Sequence, residues 1–342
     1  MTEPDSSPGL AARALWQLER VLFLLVKGGI RLLPHSVALG FGSAVGDLWH
    51  LVDRSHRRVA EDNLRHALPE LPDGERSTIV RACFRHFARL MVDMISAARF
   101  SAEESLARCS AEGWEHLDDA ESDGCGVLMI TAHLGNWEST GPCLALNDRP
   151  VTFIARPLDN PWLEREVRGI RERFGNATAP KRGSTRQIMR TLRDRGRLAI
   201  LMDQRVHPME GKAYPFFGRP AFTTPLTARL SVSTGAPVVP FFGRWTEDGR
   251  YEMKILPPIR PSGKSPEAMD DLTVQYLAVV EAEIRTRPAE WLWLHKRWQK
   301  NPTLRDRKRT PRTAEGSGQP RAGADSLFER DRERQESDPP VS

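Results

Sequence analysis

The chain has 342 residues, 39% hydrophobic and 28% charged, which supplies one large core and excludes a disordered chain or a membrane-embedded one. Its formal net charge of +5 and pI near 9.2 point to an anionic partner, either a membrane surface or nucleic acid. Its four cysteines, Cys83, Cys109, Cys125 and Cys143, form no CxxC pair, which argues against structural zinc and for reduced thiols in a cytosolic setting.

The opening MTEPDSSPGL is acidic and carries proline, so it does not read as a signal peptide, and residues 1–12 read as disordered. From Leu15 the sequence LWQLERVLFLLVKGGIRLLP is apolar around much of its circumference. Its longest unbroken apolar run, 21–26, is far short of the about 20 residues a bilayer requires. Such a segment suits the interface, with Trp16, Leu22, Phe23 and Leu25 in the acyl boundary; an ordinary core helix is the alternative. A small-residue-rich helix follows, then a helical stripe of Val59, Leu64 and Leu68 that Pro69 and Pro72 end. Phe84, Phe87, Leu90, Met91, Met94 and Ile95 then repeat at three and four, the pattern of an amphipathic helix.

Beyond Gly113 strands alternate with helices. Strands are expected at 127–130, 151–155, 198–202 and 238–242, and helices at about 137–146, 161–173, 183–195 and 224–234. The fold class is α/β, with a central mixed sheet flanked by helices and an N-terminal interfacial helical segment. The domain division reads as 1–12 disordered, 13–110 helical and membrane-associating, 111–300 the α/β core, and 301–342 a disordered polar tail.

The stretch CGVLMITAHLGNWEST carries the chemistry. An apolar strand ends near His133, Gly135 and Asn136 supply a turn, and Glu138 follows at the start of a helix. That arrangement can place the imidazole of His133 and the carboxylate of Glu138 in one pocket, a pair suited to taking a proton from a hydroxyl. Taken alone the spacing also fits a histidine satisfied at a strand end. Arg156 closes the next strand before Pro157, which puts a fixed cation at the sheet's edge near His133, where its planar fork suits phosphate or carboxylate; a surface salt bridge is the alternative. Residues 156–205 hold 13 Lys or Arg against 6 Asp or Glu, a surplus of seven, although Arg186, Arg190 and Arg193 fall at the spacing of a solvated helix face. The strand at 198–202 leads into Asp203 and Gln204, and Asp203 can position a hydroxyl, hold Arg156, or serve a structural ion pair.

In its setting, HLGNWE resembles the H-x-x-x-x-D/E signature of the lysophospholipid acyltransferase superfamily, and most of all its lipid A biosynthesis (lauroyl and myristoyl) acyltransferase branch. Further resemblances run in order along the chain: NLRHALPE, Arg156-Pro157 with Asn160-Pro161, the Asp203-Gln204 pair, and WLWLHKRW near residue 298, similar to a closing W-x-H-x-R-W motif. The continuation Arg205-Val206-His207-Pro208 departs from the branch's usual pattern. The resemblance implies an O-acyltransferase that moves an acyl group from an acyl carrier protein or CoA thioester to a hydroxyl of a lipid A precursor or similar anionic glycolipid. A phospholipid or phosphatidylinositol mannoside is the alternative acceptor. It further implies His133 and Glu138 as catalytic pair, with Arg156, Arg171, Arg173, Asp203 and Gln204 as substrate-binding positions. No metal or cofactor is expected, and the partners would be membrane lipids and the acyl donor at the cytoplasmic face of the inner membrane. Aromatic stretches at 214–224 and 235–242 can line an acyl tunnel or belong to the core, and the closing tryptophans fit an interfacial anchor. A nucleic-acid-binding role finds no helix-turn-helix, zinc or RNP pattern, and a non-catalytic membrane role has to explain the joint presence of His133, Glu138, Arg156 and Asp203.

Overall fold

The computed structural model describes residues 9–181, 183–246 and 248–298. Four helices come first: α1 (Leu10–Leu32), α2 (His35–Val52), α3 (Arg54–Ala67) and α4 (Asp73–Ala97). Helix α4 is the hub, burying Phe84, Phe87, Leu90 and Ile95 as its periodicity predicts, while Met91 is 45% exposed. Helix α2 lies hard against it because Gly42 and Gly46 carry no Cβ; one added at Gly46 would sit 2.4 Å from the Arg85 Cα. A short α5 (Ala102–Ala107), opened by a Ser101/Glu104 capping box, leads into the sheet. Helix α1 begins at Leu10, inside the stretch expected to be disordered. The expected polar tail at 301–342 lies outside the described residues.

The main sheet has seven strands: β1 (Cys109–Glu112), β2 (Val127–Thr131), β3 (Val151–Ala155), β4 (Ala177–Pro180), β5 (Arg197–Leu201), β8 (Val238–Trp245) and β9 (Tyr251–Ile255). Their order is β1-β9-β8-β2-β5-β3-β4, and every neighbouring pair is parallel except β8 with β9. The sheet is therefore mixed. Helices α6 (Trp114–Ser122), α7 (Trp137–Leu146), α8 (Pro161–Arg171), α9 (Thr185–Arg193), α10 (Leu226–Thr234) and α11 (Pro266–Thr286) connect or flank its strands. The antiparallel hairpin of β6 (Lys212–Phe216) and β7 (Arg219–Thr223) stands apart from it.

Strand β2 is buried along its whole length, as a central parallel strand covered on both faces must be. Alternation splits it: Leu128 and Ile130 join the cluster built on α4 and α11, and Val127 and Met129 pack with Leu117, Leu144 and Phe241 on the other face. The aromatic stretch read as a possible tunnel wall is core. Tyr214, Phe216, Phe217 and Phe242 are buried, and Phe216 and Phe217 pack on Trp291 and Trp298. The closing tryptophans are correspondingly interior: Trp291, Trp293 and Trp298 are at most 7% exposed, so they do not serve as an interfacial anchor.

Candidate active site

The site follows from the register of two neighbouring strands. Strands β2 and β5 run parallel, with Thr131 opposite Leu201. Two residues further on, both chains leave the sheet at its C-terminal edge, where an α/β sheet commonly binds its ligands, and His133 meets Asp203 there. The His133 Nδ1 lies 2.8 Å from Asp203 Oδ1, and the His133 backbone N–H donates to Asp203 Oδ2 at 3.0 Å. Trp291 Nε1 donates to the same Oδ2 at 2.8 Å. Asp203 is thus held by three donors and is 2% exposed. Burial alone would raise its carboxyl; the charge of His133 and the hydrogen bonds from His133 and Trp291 outweigh this and lower it to about 2.

An ionised Asp203 at Nδ1 selects the tautomer with the proton on that nitrogen, leaving the lone pair on Nε2. That nitrogen faces the outer side of the site, where the exposed Gln204 amide donates to it at 3.2 Å. His133 itself keeps 20% side-chain exposure, and its ring meets the edge of Trp137 at 5.1 Å between centroids. The arrangement is a base with one nitrogen anchored in the interior and the other presented to a ligand.

The turn between His133 and α7 is fixed from three sides. Leu134 is buried, and the His133 carbonyl accepts from Leu292 N at 3.1 Å. Gly135 has φ +62°, and a Cβ there would stand 2.0 Å from the Gly243 carbonyl oxygen, so both conformation and space demand glycine. Its N–H donates to Glu290 O, and its carbonyl meets His86 Nε2 at 3.0 Å. Asn136 caps α7 by accepting from Ser139 N and donates its amide to the buried Asp93 at 2.7 Å. Asp93 also receives the Tyr251 hydroxyl at 2.9 Å. Burial pushes its carboxyl up to about 6 against these hydrogen bonds.

Glu138 does not touch His133. It sits in the first turn of α7, and Arg171 at the end of α8 grips it with Nη2 at 2.6 Å and Nε at 3.1 Å, while Trp137 Nε1 adds a third contact at 3.2 Å. The carboxylate on the imidazole is Asp203, seventy positions away in sequence, and not the neighbour five positions on. The physical reason is the turn: Asn136 caps α7, and the helix carries Glu138 toward α8. Burial acts against the Arg171 charge, but Glu138 more than offsets it and raises Arg171 further.

The remaining expected positions separate. Arg173 donates to the carbonyls of Ala98 and Phe100, tying α8 to the end of α4. Arg156 directly follows β3, which β5 separates from β2, so it is not beside the His133 strand; its side chain is 79% exposed and pairs with Asp159 at 3.1 Å. Asp203 does not hold it. Arg182, which with Lys181 resembles a further pair of basic positions the family uses around an anionic substrate, lies outside the described residues. Sequence reasoning did not single out Trp291, Asn136 and Asp93 as site residues, although the order of Trp291 in a closing aromatic motif was visible.

Beside Glu138 and Arg171 opens a cavity walled by Met94 and Ala97 of α4, Phe100, Pro142 of α7, Ile170 of α8 and Phe174. Its surface is chiefly apolar, with the Glu138–Arg171 pair among the few charged groups that reach it.

The family described as bacterial lipid A biosynthesis acyltransferase matches residues 12–300. A lipid A biosynthesis lauroyltransferase of Escherichia coli (strain K12) is 26% identical over 291 residues, covering 82% of this chain and 90% of the relative. A lipid A biosynthesis acyltransferase of Haemophilus influenzae is 22% identical over 242 residues, 70% of this chain and 75% of the relative. A phosphatidylinositol mannoside acyltransferase of Mycolicibacterium smegmatis is 25% identical over 273 residues, 79% and 88%. The match spans the helical hub, the sheet and the His133 turn alike, and the chain belongs to the bacterial lipid A biosynthesis acyltransferase family and is an acyltransferase of lipid acceptors.

Proposed function

We propose that the protein transfers a fatty acyl group from an acyl carrier protein or CoA thioester to a hydroxyl of a lipid A precursor or similar anionic glycolipid. The observation that carries the reading is the His133–Asp203 pair, with Nδ1 fixed at 2.8 Å by a buried carboxylate and Nε2 meeting the exposed Gln204 amide. The acceptor hydroxyl takes the place of the Gln204 amide at Nε2 and gives its proton to that nitrogen. Its oxygen bonds to the thioester carbonyl carbon, Asp203 stabilises the imidazolium, and the C–S bond then breaks as the imidazolium returns the proton to the departing sulfur. Ester and thiol are the products. A thioester is already activated, so this route asks for no metal, cofactor or covalent acyl-enzyme.

The apolar cavity beside Glu138 suits the donor's chain, since each buried CH₂ contributes about 0.8 kcal/mol. Two further features favour action at a membrane surface. Leu15, Leu18, Leu22 and Leu25 of α1, and Val37, Phe41, Val45 and Leu48 of α2, repeat at three and four and are exposed. Among the described residues no helix is long and apolar enough to cross a membrane, so this apolar surface fits attachment to the interface. A cytoplasmic inner-membrane location is part of the same proposal. The likeness to a phosphatidylinositol mannoside acyltransferase, at an identity similar to the lipid A enzymes, favours that glycolipid as the second reading of the acceptor.

The test is mass spectrometry of total lipids from cells with and without the gene. A glycolipid lacking one acyl chain in the deletion supports the reading and identifies the acceptor, and an unchanged lipid profile refutes it.

A further inference from the structure

Helix α1 has two faces. One is the exposed leucine stripe; the other meets α8, where the Phe23 ring packs edge-on to Trp162 at 5.6 Å and Lys27 pairs with Glu166 at 2.6 Å. An open cleft runs along this junction, lined by Lys27 and Arg31 of α1, by Arg165 and Glu166 of α8, and by Arg173. Four cations thus face one carboxylate, and Lys27 already occupies it. Arg173 spends two donors on the Ala98 and Phe100 carbonyls. Arg31 and Arg165 are exposed, and among the described residues neither guanidinium has a carboxylate partner. Positive groups gathered in one concavity repel one another until an anion joins them, and two guanidinium forks match the oxygens of a phosphate.

The position of the cleft narrows its ligand. It opens along α1, whose other face carries the exposed Leu18, Leu22 and Leu25, and it shares Ala98, Ile170 and Arg173 with the apolar cavity bordered by Glu138. A free ion has no use for an apolar stripe alongside its site; a lipid uses both. We propose that the α1–α8 cleft holds the phosphate group of an anionic membrane lipid, and that this lipid is the acyl acceptor. The second half rests on the lipid-acceptor reading above. The phosphate then anchors the headgroup on the cavity side of the sheet's C-terminal edge, and the chains of the lipid stay with the leucine stripe.

The test is sedimentation of the full chain with phosphatidylcholine vesicles, with and without phosphatidic acid, using wild type, Arg31→Gln/Arg165→Gln and the charge-matched control Arg186→Gln/Arg190→Gln. Wild type and control should favour the phosphatidic acid vesicles alike, and the cleft variant should lose roughly 20- to 30-fold of that preference, about fivefold per cation. An equal loss in the control would reduce the effect to net charge and overturn the site. Millimolar inorganic phosphate at constant ionic strength should leave the wild-type preference in place; its erasure would assign the cleft to the free anion instead. Turnover separates the two halves. With a phosphorylated lipid acceptor the cleft variant should raise KM and keep kcat, and an unchanged KM alongside the lost vesicle preference would overturn the acceptor assignment alone. Failure of wild type to acylate any lipid would sink the proposed function while leaving the vesicle result standing.

Discussion

Asp203→Asn removes the charge of the buried carboxylate while keeping its shape, and the surrounding donors decide which way the new amide turns. Oδ1 accepts from His133 Nδ1, and Oδ2 accepts from both the His133 backbone and the Trp291 indole. An asparagine has one oxygen for these three donors. Placing its NH₂ where Oδ2 stood strands two N–H groups, at about 1–3 kcal/mol each. Turning the amide over strands none if the imidazole changes tautomer, so that Nδ1 accepts and the proton moves to Nε2. The second arrangement is cheaper, and it leaves His133 with no lone pair toward the acceptor. The expected result is a kcat lower by roughly 10²- to 10⁴-fold, about 3–5 kcal/mol of barrier, with KM little changed because Asp203 is interior. The assay is initial-rate transfer, read beside the imidazole ¹⁵N signals of His133. Asp203→Asn should move the Nδ1 proton. Glu138→Gln should leave it in place, because Glu138 bonds Arg171 and Trp137. Asp203→Asn with kcat within roughly threefold of wild type, or a Nδ1 signal that moves in Glu138→Gln instead, would refute the assignment.

Three further outcomes are expected from the structure. Gly135→Ala places a Cβ against the Gly243 carbonyl in a left-handed conformation, and should lower unfolding stability by more than ~2 kcal/mol in a urea titration. Stability should fall on acidification from pH 7 to 5. Burial holds His35, His86 and His295 neutral, each lowered to about 4, so below their ordinary value of 6.5 the unfolded chain binds more protons; each contributes a loss of up to ~2 kcal/mol. Asp93, raised to about 6, takes its proton in the folded state and offsets about 1 kcal/mol of this; thermal melts across that pH window, with His295→Gln flattening the slope, check the sum. Leu18→Glu/Leu22→Glu/Leu25→Glu should release the protein from neutral vesicles in sedimentation without disturbing its fold by circular dichroism, because all three side chains are exposed.

The periodic elements were legible in the sequence because burial on one face or both leaves a repeat. Strand β3 and helix α7 have the expected bounds, and β2, β5 and β8 differ by a few residues at their ends. Short edge pieces escaped: β1 and β4 have four residues each and are only partly buried, so no apolar run marks them. The β6–β7 hairpin is absent from the expected strands although Tyr214 with Phe216, and Ala221 with Thr223, alternate inward, because its aromatic content also fits a tunnel wall. The site was half legible. His133, Glu138 and Asp203 stood out as residues, yet spacing along the chain favoured the wrong carboxylate for the imidazole. Choosing Asp203 requires knowing that β5 lies next to β2 in parallel register, a fact of strand order that local sequence does not carry. For the same reason Arg156 read as a neighbour of His133, when β5 stands between their strands.

The central claim, acyl transfer with His133 as base, is tested most directly by incubating the purified protein with a labelled acyl thioester and an anionic glycolipid and counting label in the ester product. Wild type should transfer the label, and His133→Ala, folded by circular dichroism, should fall by roughly 10²- to 10⁴-fold. Equal transfer by wild type and His133→Ala would contradict the account.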